Sequence, residues 1–183
     1  FLVSELHKQY ANRYNRDVIQ WSNDVVQEFI KTVGVFVNET LENLVTIATE
    51  VNLDAVQLHG DEDEAFIQSL KERTNVEVWK AVQIRSAADA EAWIDSSADM
   101  LLFDAYHKDE RGGTGEVFDW SCLDEFERPF MLAGGIDSTN VARAIRTVRP
   151  YGIDISSGIE TDGVKDDEKI TAFTKLVKTI AMP

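Results

Sequence analysis

Sulfur and imidazole chemistry are scarce in this chain, which has one cysteine, Cys122, and three histidines among 183 residues. A single cysteine excludes an internal disulfide framework and suits a reducing cytoplasm. His7, His59 and His107 show no metal-ligand spacing and no Cys/His pair, so no metal is expected. No apolar run approaches membrane-spanning length, and no signal peptide is expected. Cations are sparse too: Lys and Arg number 18 against 33 Asp and Glu, for a formal net charge of −15 and a sequence pI of about 4.5. Such a surface repels nucleic acid and anionic membranes, and its plain role is solubility. An anionic ligand would need a local positive site built from backbone dipoles or a few cations.

What is present is alternation. Short apolar runs with strand chemistry, "TVGVFVN" (32–38), "DAVQLHG" (54–60), "VEVWKAVQI" (76–84), "DMLLFDAY" (99–106), "PFMLAGG" (129–135) and "YGIDISSG" (151–158), are each followed by a segment of helical period. Leu41, Leu44, Val45 and Ala48 make one such stripe, and Val141, Ala144, Ile145 and Val148 another, the latter capped by Asp137 or Ser138. A last helix from about Asp166 carries Ile170, Phe173, Val177 and Ile180. Six strand–helix units with no hairpin signal between strands predict a single α/β domain, a parallel sheet with helices outside. Ahead of them, "FLVS" reads as a short strand and residues from Asp17 to about Lys31 as a helix. At most seven strands and seven helices can be counted, one unit short of a closed eight-stranded barrel.

Alternate strand residues share a face. On that period Gln57 pairs with His59, Asp104 with Leu102, and Asp154 with Ser156, and each polar residue lies toward the carboxyl end of its strand. Parallel α/β folds build their sites there. Each polar side chain could simply satisfy a neighbouring backbone group, but four of them on three strands point to a shared site. Gly134–Gly135 and Ser156–Ser157–Gly158 follow consecutive strands, and small residues in adjacent loops expose N–H groups to an anion. These five residues are the expected phosphate site, with Asp154 facing the organic part of the ligand. The long loop 107–120 holds Gly112, Gly113 and Gly115, and reads either as a lid or as an ordinary surface loop. Lys80 shares a face with Val78 and Val82, and a buried lysine there needs a carboxylate partner.

Four segments, "VGVFVNE", "VQLHGDE", "LLFDAYHKDERGGTGEVFDW" and "LAGGIDSTNVARAIRTVRPYGIDISSGIETDGVKD", together resemble phosphoribosylanthranilate isomerase over roughly four-fifths of the chain, from about Val33 onward. The resemblance implies a (βα)8 TIM barrel and, in tryptophan biosynthesis, an Amadori rearrangement of N-(5-phosphoribosyl)anthranilate to a 1-deoxyribulose 5-phosphate. It implies no cofactor, a cytoplasmic location, and a monomer or homodimer. Asp104 matches the family's general acid, which must be protonated when substrate binds, a state that burial favours. Gln57, His59 and Asp154 match residues of the substrate site, the "AGG" and "SSG" loops match the phosphate site, and Arg13 matches an arginine that binds the anthranilate carboxylate. The family's opening strand ends in "K-I-C-G", whose cysteine is the general base. No such segment is present, and Cys122 sits in the wrong unit to replace it. The expectation is therefore a barrel whose first strand–helix unit is absent from this chain. The alternatives are a non-catalytic relative that keeps only the phosphate cup, or another sugar-phosphate barrel.

Overall fold

The computed structural model describes residues 31–105 and 119–180. Arg13, the expected elements ahead of Lys31, and Gly112, Gly113 and Gly115 lie outside the described residues. The chain falls into two compact units. One comprises the residues up to Ala81 with Ser97–Met100, the other Val82–Ser96 and the residues from Leu101 onward.

The first unit runs β1 (Val33–Phe36), α1 (Leu41–Val51), β2 (Ala55–Leu58), α2 (Glu64–Arg73) and the start of β3 (Glu77–Ile84). β2 pairs in parallel with β1 and with β3, placing Val35 level with Gln57 and Leu58 level with Lys80. All four residues of β2 are buried, as a strand covered on both faces requires. Thr40 caps α1 by accepting from the Asn43 N–H, and Asn52 ends it in the left-handed region at φ 55°. The apolar stripe behaves as its spacing predicts, with Leu44 and Ala48 buried and Leu41 and Val45 half-buried. Asp63 caps α2 by accepting from the Phe66 N–H at 2.9 Å, and Ile67 and Leu70 turn inward. Each such buried side chain contributes about 1.5–3 kcal/mol, enough to outweigh small differences in helix propensity.

The second unit holds α3 (Ala87–Glu91), most of β4 (Met100–Ala105), a 3₁₀ turn (Trp120–Leu123), β5 (Phe130–Ala133), α4 (Val141–Val148), β6 (Gly152–Ile153), a 3₁₀ turn (Ser157–Ile159), β7 (Glu160–Thr161), β8 (Val164–Lys165) and α5 (Asp167–Thr179). β5 pairs in parallel with both β4 and β6. Its core includes Phe103, Phe126 and Phe130, packed edge-on or tilted with ring centroids 4.9–5.9 Å apart. Val141, Ala144, Ile145 and Val148, the stripe of α4, are all buried.

Four readings of the sequence need correction. First, α4 is capped at Asn140. Asp137 instead organises the preceding turn, its carboxylate accepting from the Thr139 and Asn140 N–H groups at 2.7 and 3.2 Å. Second, the segment of helical period after β3 is α-helical for only five residues, Ala87–Glu91. Third, only Gly152 and Ile153 of "YGIDISSG" form strand ladder. Fourth, a hairpin does exist: β7 and β8 are antiparallel, joined by Asp162 (φ 53°) and Gly163 (φ 77°). Two left-handed residues in a two-residue loop are the type I′ pattern, and Asp-Gly is its sequence signal. The strands are so short that they leave no alternation to read.

Candidate active site

In the first unit the expected pair assembles. His59 extends the β2 ladder, its N–H donating to the Phe36 carbonyl at 2.8 Å. The Gln57 amide nitrogen lies 3.1 Å from His59 Nδ1. As the amide nitrogen is placed, it donates and Nδ1 accepts. Lys80 finds the carboxylate that its burial demanded: its ammonium is 3.0 Å from Glu62 and 2.6 Å from the Gly60 carbonyl oxygen. Burial pushes the Glu62 carboxyl up. The Asn38 N–H and the Lys80 ammonium outweigh this and hold it below the usual glutamate range.

In the second unit two aspartates bracket the end of β5. Asp104 is level with Ala133 across the β4–β5 ladder. Ile153 is level with Leu132 across the β5–β6 ladder, and the Asp154 N–H donates to the Leu132 carbonyl at 2.8 Å. Asp104, in β4, and Asp154, the residue after β6, thus flank the carboxyl end of β5. Both aspartates are half-buried.

Gly134 (φ 84°) and Gly135 (φ 61°) follow β5 directly. Asn140 braces this loop, its amide donating to the Gly135 carbonyl at 2.8 Å and its oxygen accepting from the Asp137 N–H at 3.0 Å. Gly158 lies so close to it that a Cβ there would collide with the Ile136 carbonyl oxygen and come within 3.1 Å of Asp137 Cα. The structure thereby brings Gly134–Gly135 and Ser156–Gly158 together. The Ser157 and Gly158 N–H groups open a 3₁₀ turn whose first internal bond is from Ile159 N–H to the Ser156 carbonyl, at 3.3 Å, and initial N–H groups have no partner inside their own turn.

Lys165 was missed as a site residue. The hairpin returns it to the Ser156 loop, where its ammonium is 3.0 Å from the Ser156 carbonyl oxygen, 3.1 Å from Ser156 Oγ and 2.5 Å from Glu160. Asp162-Gly163 was the available signal. Cys122 lies in the 3₁₀ turn Trp120–Leu123, where burial and then the Asp119 carboxylate push its thiol up and keep it protonated. A thiol kept protonated is a poor proton acceptor. Among the described residues no cluster of His, Cys, Asp or Glu could hold a metal ion, and no helix is long and apolar enough to cross a membrane.

Comparison with known proteins agrees with this geometry. The family model for N-(5'phosphoribosyl)anthranilate (PRA) isomerase matches residues 5–176, reaching further toward the N-terminus than the motifs do. N-(5'-phosphoribosyl)anthranilate isomerase of Endomicrobium trichonymphae is 44% identical over 156 residues, covering 85% of this chain and 76% of that protein. The crystal structure of phosphoribosyl anthranilate isomerase from Thermotoga maritima is similar with a TM-score of 0.72 at 38% identity, over 82% of this chain and 74% of that one. A phosphoribosyl anthranilate isomerase in complex with reduced 1-(o-carboxyphenylamino)-1-deoxyribulose 5-phosphate gives a TM-score of 0.69 at 36% identity, over 82% and 72%. With parallel strand–helix units of the TIM-barrel class and relatives of this similarity, the chain belongs to the N-(5'-phosphoribosyl)anthranilate isomerase family, isomerases of tryptophan biosynthesis.

Proposed function

We propose that Gly134, Gly135, Ser156, Ser157 and Gly158 hold the 5-phosphate of N-(5-phosphoribosyl)anthranilate, and that Asp104 is the general acid of its Amadori rearrangement. The observation that carries this reading is the contact of Gly158 with the Ile136 carbonyl. It joins two small-residue loops directly beyond Asp104 and Asp154. Backbone N–H groups suit a phosphate in a chain of net charge −15, because they supply positive potential without added cations.

Asp104 gives its proton to the ribose ring oxygen, the C1–O bond breaks, and the anilino nitrogen lone pair forms the iminium. The general base, which the resemblance assigns to a cysteine of an opening strand, then takes the C2 proton to give an enamine. That proton is delivered to C1 as the C2 hydroxyl proton returns to Asp104 and the ketone forms. The atoms rearrange without any co-reactant. Asp154 faces the sugar, and Gln57 and His59, which contact each other at 3.1 Å, are assigned to the substrate site by resemblance. Arg13 is assigned to the anthranilate carboxylate by resemblance. The setting is cytoplasmic and the assembly a monomer or homodimer, a choice that light scattering makes.

The test pairs two variants of the natural polypeptide. Asp104→Asn keeps the shape but not the acidic proton, so turnover of substrate made in situ should fall about 10²–10⁴-fold. Gly135→Asp adds a negative charge at a φ that aspartate tolerates, so calorimetric affinity for a reduced product analogue should drop steeply. Turnover within about twofold for Asp104→Asn, small against that usual range, removes the acid assignment. Undiminished analogue affinity in Gly135→Asp removes the phosphate cup.

A further inference from the structure

We infer that Lys165 is a positioning residue for phosphate recognition: it locks the Ser156 loop and turns the Ser156 hydroxyl into a donor toward the ligand. The inference rests on the phosphate reading above. Lys165 is carried by the β7–β8 hairpin, and its side chain is only 7% exposed. A lysine so enclosed must have its three donors engaged. They are: one reaches the Ser156 carbonyl (3.0 Å), one Ser156 Oγ (3.1 Å) and one Glu160 (2.5 Å).

Two consequences follow from that set. An ammonium can only donate, so Ser156 Oγ accepts from it, and the hydroxyl hydrogen points elsewhere. Ser156 is also the residue before the 3₁₀ turn, yet its side chain makes no capping bond to that turn. The Ser156 O–H is thus left to donate to a phosphate oxygen beside the Ser157 and Gly158 N–H groups. Second, Glu160 balances the lysine charge. Removing Lys165 alone would leave the Glu160 carboxylate next to an anion site, while removing both charges would not.

The hairpin is itself held in place. The Asp166 N–H donates to the Ile159 carbonyl at 2.9 Å, Thr161 Oγ1 donates to the Asp166 carboxylate at 2.6 Å, and the Lys169 ammonium reaches the Glu160 carbonyl at 2.5 Å. The Thr161 hydroxyl and then the Lys169 N–H hold the Asp166 carboxyl below the usual aspartate range. These bonds fix where Lys165 can reach, independently of any ligand.

The experiment compares Lys165→Met, Glu160→Gln and the double variant in the natural polypeptide, with inorganic phosphate as competitive inhibitor and steady-state kinetics on substrate. Loss of one charge-assisted arrangement should raise the phosphate inhibition constant and KM together by on the order of tenfold in Lys165→Met, with kcat changed less than about threefold. The double variant should recover part of the loss, because the uncompensated carboxylate is gone, and Glu160→Gln should bind phosphate at least as well as the parent. A structural role alone would lower the melting temperature and leave KM and the inhibition constant in place, and that result overturns the inference. If Lys165→Met does not fold, weaker phosphate inhibition in Glu160→Gln overturns it as well. If parent and Gly135→Asp are inhibited equally by phosphate, the cup reading fails. If they differ while Lys165→Met matches the parent, only the role of Lys165 fails.

Discussion

The carboxyl ends of the strands are finished differently in the two units. In the first, Glu62 accepts from the Asn38 N–H at 2.7 Å, the Gly60 N–H at 2.9 Å and Lys80 at 3.0 Å, and Lys80 also donates to the Gly60 carbonyl. Charge meets charge, and loop N–H groups are spent on a protein carboxylate. In the second, Asp104 and Asp154 flank the carboxyl end of β5, and the loops beyond them offer N–H groups that end no internal ladder. The same residue types at the same end of parallel strands thus serve opposite ends. A buried pair must be saturated to be tolerated. A ligand cup must hold its donors rigidly and leave them unspent.

The saturated side should break hardest. Glu62→Ala removes the Glu62 carboxylate from beside the buried Lys80 ammonium, and losing one partner of a buried pair costs about 3–5 kcal/mol. Denaturant melts should show that loss, and Glu62→Ala with Lys80→Met should recover much of it. The pH dependence has a definite sign. The Glu62 carboxyl is held below its ordinary value near 4.5. Its stabilising contribution is therefore full above that pH and disappears as pH falls through the lower folded value. Glu62→Gln should flatten the acid limb of the stability curve below about pH 4.5. An acid limb identical to the parent's would mean that the pair is not what shapes it.

The open side should respond in affinity before stability. At Gly158 even one methyl group meets backbone, the Ile136 carbonyl, which cannot swing aside as a side-chain end would. Gly158→Ala must push the two loops apart, an overpacking change costing about 1–3 kcal/mol. Because the displaced groups are the proposed phosphate donors, inorganic phosphate should bind at least tenfold more weakly, about 1.4 kcal/mol. A stable Gly158→Ala protein with parental phosphate affinity would show that the apposition of the loops is only packing.

Much of this contrast was legible in the sequence, for physical reasons. Period-2 alternation places Gln57 with His59, and stripes at 3.6 spacing place Leu44 with Ala48 and Val141 with Ile145. These are local regularities that burial enforces. Lys80 was legible as a residue in need of a carboxylate, but Glu62 was not legible as that carboxylate. The pairing depends on a Leu58-to-Lys80 register that no single segment encodes. The cap of α4 was misplaced because Asp137, Ser138 and Asn140 are all good capping residues and only the turn geometry chooses among them. Lys165 was hidden for a related reason. Its partners Ser156 and Glu160 are near in sequence, but only the turn at Asp162-Gly163 folds the chain back onto them.

That turn provides the mildest and cleanest experiment. Gly163 sits at φ 77°, and a Cβ added to it would have nothing within 4 Å. Gly163→Ala therefore changes no contact and costs only the left-handed penalty, about 1–2 kcal/mol. For a chain of this size that is a fall of about 2–4 °C in melting temperature for each kcal/mol. The hairpin can relieve the strain by opening, and opening withdraws Lys165 from Ser156. KM and the phosphate inhibition constant should then rise together by about twofold to threefold, well below the tenfold that 1.4 kcal/mol represents, while kcat holds. Asp162→Gly relaxes a non-glycine φ of 53° and should leave both constants alone. If Gly163→Ala lowers the melting temperature as expected yet leaves phosphate inhibition where it was, the hairpin stabilises the fold without aiming Lys165, and the open cup owes its order to Gly158 and Asn140 instead.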